Sequence, residues 1–238
     1  MQYKPSSTPS NHILTALSPE ENQRIAPHLE YVRLTLGTVL YESQAPIEHI
    51  YFPLDAMVSL VATLAEHNTT EFALVGHEGL VGLPVIWGGM STPSRAIVQV
   101  PGSAMRVKAE IIKQEFDRGG MLQKRLLLYM QALFTQMAQN SASKSHHTVE
   151  QRLAAWLLLV EDSLQKNVLP LTQKYIAQLL GTRRATITVA AGQLQEKGMI
   201  RYSRGSIEIV DRPALESTAA ESYSVVKQEY DRLSFTGP

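Results

Sequence analysis

The hydrophobic pattern changes character along the chain. Between Tyr31 and about Lys108, short runs of β-branched and aromatic residues are separated by Gly, Pro, Asp and Asn. Many short runs at even spacing are typical of an antiparallel sandwich or barrel. The predicted strands are Val32–Leu36, Val39–Tyr41, His49–Phe52, Val58–Thr63, Glu71–Val75, Ala96–Val100 and Ala104–Val107. Before them, Ser18-Pro19 followed by two acidic residues predicts a helix start.

From about Met121 the spacing becomes helical. Apolar positions then recur at intervals of four and three residues and end in a polar one: Leu126, Met130, Leu133, Met137 and Asn140. A helix packed on its own sandwich needs a wider stripe, whereas a narrow heptad seam is typical of a partner helix. We therefore predict a homodimer with these residues at its interface. His146 and His147 end the pattern, and because they point to different helix faces they favour a hinge over a shared metal.

Residues 171–211 have the pattern of a helix, a turn, a second helix and a two-stranded wing. Gly181 breaks the first helix, because glycine tolerates a positive φ, and Thr182 is predicted to cap the second. The second helix opens with Arg183 and Arg184. Such residues suit a helix that enters a DNA major groove, where its N-terminus meets base edges and phosphates. A small helical subdomain with ordinary surface arginines is the alternative interpretation.

The distribution of charge favours DNA binding. The formal net charge of the chain is +0, yet residues 171–212 contain seven Lys or Arg against three Asp or Glu. The basic excess therefore lies where phosphate contacts would be. The candidate base or phosphate contacts are Thr182, Arg183, Arg184, Thr186 and Thr188, and the candidate phosphate contacts are Gln173 and, in the wing, Arg204.

Composition excludes several other classes. At 238 residues, 44% hydrophobic and 18% charged, the chain can form two modest globular domains. The absence of cysteine excludes cysteine-ligated iron–sulfur clusters and zinc fingers, and it fits a cytoplasmic protein. No apolar run is long enough to span a membrane, and the first twelve residues lack the apolar core of a signal peptide, which predicts a flexible tail.

The sequence does not predict an enzyme or a cofactor. It contains no nucleophile elbow, no phosphate-cradling loop and no zinc-protease motif. His49, His67 and His77 lie in the β-rich part, but a lone histidine there is more often a surface residue, so neither haem nor a metal is expected.

In this order, a β-rich domain, a long helix and a winged helix-turn-helix resemble the Crp/Fnr family of bacterial transcription regulators. The resemblance extends from about residue 13 to 235 and is most specific in VEQRLAAWLL (149–158), LTQKYIAQLLGTRRATIT (171–188) and RYSRGSIEIVDR (201–212). Residues 37–61 are similar to part of the family's sensor β-roll. The resemblance implies a homodimer, an effector-controlled hinge and a palindromic DNA site.

The resemblance gives a predicted organisation of class α+β. Residues 1–12 form a tail, residues 13–118 a jelly-roll-like, cyclic-nucleotide-binding-like sensor of antiparallel strands, and residues 119–147 the dimerisation helix and hinge. Residues 148–238 form the winged helix-turn-helix domain with a last amphipathic helix from Pro213, expected to pack on that domain.

The sensor departs from the pattern of cyclic-nucleotide-binding members. These have a Gly-Glu pair and, about ten residues later, an Arg-Ser pair that hold the ribose and the cyclic phosphate. Here Gly82 is followed by Leu83, which cannot accept a hydrogen bond from a ribose, and Arg95 follows Ser94 rather than preceding it. Cyclic AMP is therefore disfavoured. The predicted effector pocket is Gly82, Leu83, Ser94, Arg95 and Met137, with a merely surface or interfacial Arg95 as the alternative.

The recognition helix also departs from the family's pattern. If Arg184 matches the family's first Arg, Ala185 and Val189 replace a Glu and a second Arg that read cytosine and guanine in well-defined half-sites. A different operator is expected. Two alternatives remain: a DNA binder that needs no effector, and a small-molecule sensor that acts through a protein partner and has a vestigial helix-turn-helix. RNA polymerase is kept as a partner, although no surface in the sequence identifies its contact.

Overall fold

The computed structural model describes residues 10–64, 68–203 and 205–234. Its strands are β1 (Glu30–Leu34), β2 (Val39–Tyr41), β3 (His49–Pro53), β4 (Met57–Leu64), β5 (Asn68–Val75), β6 (Ser94–Val100), β7 (Gly102–Lys108), β8 (Val168–Leu169), β9 (Ile200–Ser203) and β10 (Ser206–Ile209). Its α-helices are α1 (His12–Thr15), α2 (Pro19–Ile25), α3 (Ala109–Asp117), α4 (Met121–His146), α5 (Val149–Leu164), α6 (Gln173–Leu179), α7 (Arg184–Glu196), α8 (Arg212–Thr218) and α9 (Ala220–Ser234). Short 3-10 helices span Ala26–His28 and Leu83–Trp87.

The predicted strands form an antiparallel sandwich. One sheet has the order β1-β7-β3 and the other β2-β6-β4-β5. The alternation of apolar residues explains the packing, because Ile50 and Phe52 of β3 and Val58 and Leu60 of β4 turn into the same buried core. The mixed helix and strand fold is confirmed.

The folded part begins slightly earlier than predicted. Asn11 is buried, its side chain donates hydrogen bonds to the carbonyl oxygens of Pro53 (3.0 Å) and Gly79 (2.8 Å), and its Oδ1 caps α1. Residues 1–9, the greater part of the predicted tail, lie outside the described residues. Ser18 and Glu21 form the capping box that starts α2, so that prediction is confirmed.

The predicted dimer seam faces the chain's own core along much of α4. Leu126 and Leu133 pack among the sandwich residues and are nearly inaccessible to solvent in the single chain. The Nδ2 atom of Asn140 donates to the carbonyl oxygen of Phe72 at 3.1 Å. The assignment of Leu126 and Leu133 to a partner interface is therefore wrong, because the sandwich and the C-terminal helix already cover them.

The helix-turn-helix and the wing form where the pattern predicts them. Gly181 has a φ of +61° and ends α6, as predicted. The N-cap of α7 is Arg183 rather than Thr182, and no side chain caps this helix. The wing has a third strand that the sequence did not indicate, since Leu169 of β8 pairs with Ile207 of β10.

The C-terminal segment forms two helices instead of one. Ala220 adopts a φ of +57° and separates α8 from α9. Helix α8 packs on α5, but α9 also packs along α4, where Arg125 Nη1 donates to the carbonyl oxygen of Leu233 at 2.6 Å. Tyr230 contacts both hydrophobic cores. The last helix therefore joins the helix-turn-helix part to the sandwich, whereas the sequence predicted packing on the helix-turn-helix domain.

A second core connects the two parts of the chain directly. Met57, Leu74 and Val100 of the sandwich are buried with Trp156 and Leu157 of α5. The predicted break at His146–His147 is present, since α4 ends there and the Thr148 capping box starts α5. None of the described helices combines the length and apolar character that a membrane-spanning segment requires.

Candidate nucleic-acid interface

Helix α7 is anchored by one face and exposed on the other. Ile187, Ala190 and Leu194 are buried in the second core, which fixes the helix against α5 and α6. The opposite side, at the N-terminal end, is open to solvent at Arg183, Arg184, Ala185, Thr186, Thr188 and Val189. This arrangement presents the start of the helix outward, as entry into a major groove requires.

The available positive charge is concentrated at Arg183 and Arg184. Among the described residues, neither has a salt bridge, whereas Lys197 lies 2.6 Å from Glu150 and Arg201 lies 2.7 Å from Glu208. Arg212, the last residue of the predicted basic excess, is paired with Glu161, Asp162 and Glu216. Three of the seven basic residues are thus paired within the fold. Among those whose side chains the structure describes, the two arginines at the helix start are left to meet phosphates or guanines.

Two other predicted DNA-contact residues, Thr188 and Gln173, lie side by side in the structure. Thr188 Oγ1 donates to Gln173 Oε1 at 2.8 Å, so the start of α6 lies beside the exposed face of α7. The amide NH2 of Gln173 keeps donors for a phosphate. Thr182 is half-buried in the turn between the helices. Arg204 lies outside the described residues.

From the sequence, Val189 was considered only because it stands where other family members have a second arginine. It is 62% exposed on the same side as Ala185 and Thr188. An exposed valine among polar neighbours can contact a thymine methyl group in a major groove. Its position four residues after Ala185 was the available signal, because residues four apart share a helix face.

Solved structures and one sequence family match this arrangement. FixK2 from Bradyrhizobium japonicum superimposes with a TM-score of 0.69 at 17% identity, over 81% of this chain and 98% of that chain. A Crp/Fnr-family transcriptional regulator from Thermus thermophilus gives 0.65 at 22% identity, over 80% and 98%. The sequence model of the Crp-like helix-turn-helix domain matches residues 151–218. Residues 151–218 therefore form a Crp-like helix-turn-helix domain, and the chain has the fold of Crp/Fnr-family regulators. Among curated proteins, none matches the chain.

In this Crp/Fnr fold, α4 exposes a stripe displaced by one residue from the predicted seam. The stripe has the same heptad spacing and consists of Leu127, Gln131, Phe134, Ala138 and Ser141, all exposed. Leu127 is 50% and Phe134 70% exposed, although both are large and apolar. Trp87, 60% exposed, lies against the same helix, with its Nε1 atom 3.3 Å from Met130 Sδ.

The residues of the predicted effector pocket are largely occupied by contacts within the chain. Arg95 forms a salt bridge with Glu42 at 2.6 Å. The hydroxyl of Ser94 lies 3.1 Å from that of Thr92, and Leu83 is buried in the sandwich core.

The backbone around Gly82 is equally close-packed. Gly82 has a φ of +109°, and a Cβ atom there would lie 3.2 Å from the carbonyl oxygen of His49. Met137 is half-buried against the core. Of the histidines considered for haem, His67 lies outside the described residues.

A buried carboxyl group connects the sandwich to the helix-turn-helix. Glu71 on β5 accepts a hydrogen bond from Trp156 Nε1 of α5 at 2.8 Å and contacts the Ser59 hydroxyl. Burial raises the pKa of Glu71 to about 7, against the opposing effects of these hydrogen bonds and of Lys144. The Tyr175 hydroxyl of α6 is buried near this group, and burial and the Glu71 carboxyl raise its pKa. Glu71, Ser59, Trp156 and Tyr175 thus form a polar cluster within the mainly apolar second core.

Proposed function

We propose that the protein is a homodimeric, sequence-specific DNA-binding regulator of transcription. The observation that carries the proposal is the exposed start of α7, where Arg183 and Arg184 form no salt bridge with any described residue and the wing follows directly. Arg184, Ala185, Thr188 and Val189 would contact base edges, and Arg183 and Gln173 would contact phosphates.

The partner in the proposed dimer is a second copy that packs on the exposed stripe of α4. A stripe with heptad spacing can pack against the same stripe of a second copy about a two-fold axis. Leu127 and Phe134 would form the apolar centre of that contact. Two recognition helices would then meet successive major grooves about 34 Å apart and read an inverted repeat.

We further propose that cyclic AMP is not the effector. The Leu83 side chain is apolar and buried, so it cannot accept the hydrogen bond of a ribose hydroxyl. The Nε and Nη2 atoms of Arg95 already bind the Glu42 carboxylate, with which a cyclic phosphate would have to compete.

The first experiment is selection of binding sites from random duplex DNA by the purified, ligand-free full chain. We expect enrichment of an inverted repeat with half-sites about one helical turn apart. The double variant Arg183→Ala/Arg184→Ala should lose the enrichment, while Lys108→Ala, which removes an exposed cation from the sandwich, should keep it. Equal enrichment by the double variant would overturn the assignment of α7.

The dimer is tested separately by molar mass in solution. Phe134→Glu should convert the dimer to a monomer, because two carboxylates would face each other in an apolar contact. The matched control is Gln114→Glu, which adds the same charge at an exposed position of α3. A Phe134→Glu protein that remains dimeric would place the dimer contact elsewhere.

A further inference from the structure

A cavity of about 910 Å³ lies where the sandwich, α5 and the C-terminal helix meet. One wall comes from the sandwich side (His12, His77 and Glu78), a second from the segment 159–168, and a third from α9, including Tyr230. None of the residues of the predicted effector pocket lines it. Its volume falls within the range of small-molecule sites.

Two buried polar atoms in the cavity wall have no hydrogen-bond partner among the described residues: Glu78 Oε2 and the hydroxyl oxygen of Tyr230. The other carboxylate oxygen of Glu78 is engaged, since it accepts from the Gly76 N–H at 2.9 Å and lies 3.4 Å from the Ser163 hydroxyl. Buried polar groups in folded proteins are normally paired, so each exception beside a cavity points to a missing partner.

His77 does not supply that partner. Its Nδ1 lies 2.8 Å from the carbonyl oxygen of Ser163, which can only accept, so Nδ1 carries the proton and donates it there. The distance from Nδ1 to Glu78 Oε2 is 3.6 Å. The other ring nitrogen accepts from the side-chain amide of Gln165 at 3.1 Å. Both ring nitrogens of His77 thus lie within hydrogen-bond distance of other groups.

Two other cations of the cavity wall are paired with other carboxylates. Arg212 bonds Glu161 at 2.6 Å, and Lys227 bonds Asp231 at 2.8 Å. Lys166 lines the cavity and is exposed to solvent. Burial and the neighbouring His77 lower the pKa of His12 to about 4, so this ring is uncharged near neutral pH.

We propose that this cavity binds a small organic amine whose N–H donors reach the side chains of Glu78 and Tyr230. An ionised carboxylate only accepts hydrogen bonds, and its bonds with cationic donors are the strong ones. The non-polar part of the ligand would contact Leu159, Val168 and the His12 ring, which line the same space. Because the walls come from both the sandwich and the DNA-binding part, binding stabilises their present arrangement.

The test compares three probes that share an indole-ethyl skeleton and differ in the head group: tryptamine, tryptophol and indole-3-propionate. Calorimetry and ligand-observed NMR on the full chain measure their affinities. We expect tryptamine to bind at least about tenfold more tightly than the alcohol and the acid and to raise the unfolding temperature. Equal or tighter binding of the acid, or no binding of any probe to the folded protein, would overturn the proposal.

Two variants locate the site. Glu78→Gln keeps the size of the side chain and an acceptor for Gly76, and Tyr230→Phe removes only the hydroxyl. Each should weaken tryptamine binding by about tenfold or more, while Glu110→Gln, at an exposed position of α3, should not. Circular dichroism verifies that each variant is folded. Unchanged affinity in both folded cavity variants would contradict the assignment of the site.

Discussion

Replacing Glu71 by glutamine should make the protein more stable at neutral pH, and the gain should vanish in mild acid. Burial raises the pKa of Glu71 from 4.5 to about 7, so the folded state retains its proton over a range in which the unfolded chain has lost it. The favourable contribution of protonated Glu71 is complete below about pH 4.5. It declines as the pH rises towards 7 and is lost above that pH.

The size of the effect follows from the same difference. At about 1.4 kcal/mol per pH unit, a pKa raised from 4.5 to about 7 corresponds to about 3 kcal/mol. Glutamine does not titrate, can accept the hydrogen bond of Trp156 and can donate one to Ser59. The variant should therefore gain up to about 3 kcal/mol over the wild-type protein above pH 7 and nothing near pH 4.5.

The assay is urea unfolding of both proteins between pH 4.5 and 8.5. The difference in free energy of unfolding should grow with pH and level off above about pH 7. Glu110→Gln, on the surface of α3, serves as the control and should show no such trend. A constant difference would refute the raised pKa, and a wild-type protein that gains on the variant with rising pH would mean that Lys144 stabilises an ionised Glu71.

Three further substitutions test other parts of the structure. Arg184→Ala should weaken binding to the selected DNA site by about 1–3 kcal/mol, measured by fluorescence anisotropy; unchanged affinity would remove Arg184 from the interface. Gly79→Ala should lower the free energy of unfolding by about 1–3 kcal/mol, because the added Cβ overlaps the buried ring of Tyr129; a neutral result would mean that the ring moves freely. Thr148→Ala should cost about 1 kcal/mol in urea unfolding, since it removes the Gln151 capping box of α5; no loss would mean that water replaces the cap.

The strands and the helix-turn-helix were predictable because their signals are local. Alternating apolar residues between turn residues indicate a sandwich whatever the strands pair with. Gly181 marks a turn because its positive φ is cheap for glycine alone. By contrast, Ala220 also has a positive φ, and nothing about an alanine indicates the break between α8 and α9.

The offset of the helix seam shows what periodicity leaves open. A 4-3-4-3 pattern starting at Leu126 and one starting at Leu127 have the same spacing, and spacing alone does not identify which faces the chain's own core. The sandwich and α9 bury the first, because they present apolar surface to it. Phe134 remains exposed on the second. Likewise, the cavity between residues far apart in sequence, such as Glu78 and Tyr230, arises from tertiary packing and has no sequence signal.

The shared second core restricts how any ligand can regulate this protein. Met57, Leu74 and Val100 of the sandwich are buried against α5 and its neighbours. Exposing three such side chains costs about 1.5–3 kcal/mol each. Allosteric coupling between two sites is typically about 1–3 kcal/mol in total, and a ligand shifts an equilibrium only by its differential affinity. The coupling energy is smaller than the cost of exposing these side chains, so ligand binding cannot separate the helix-turn-helix part from the sandwich. It can only favour one packed arrangement of α5 on the sandwich over another. The two arrangements could differ in whether Trp156 keeps its hydrogen bond to Glu71.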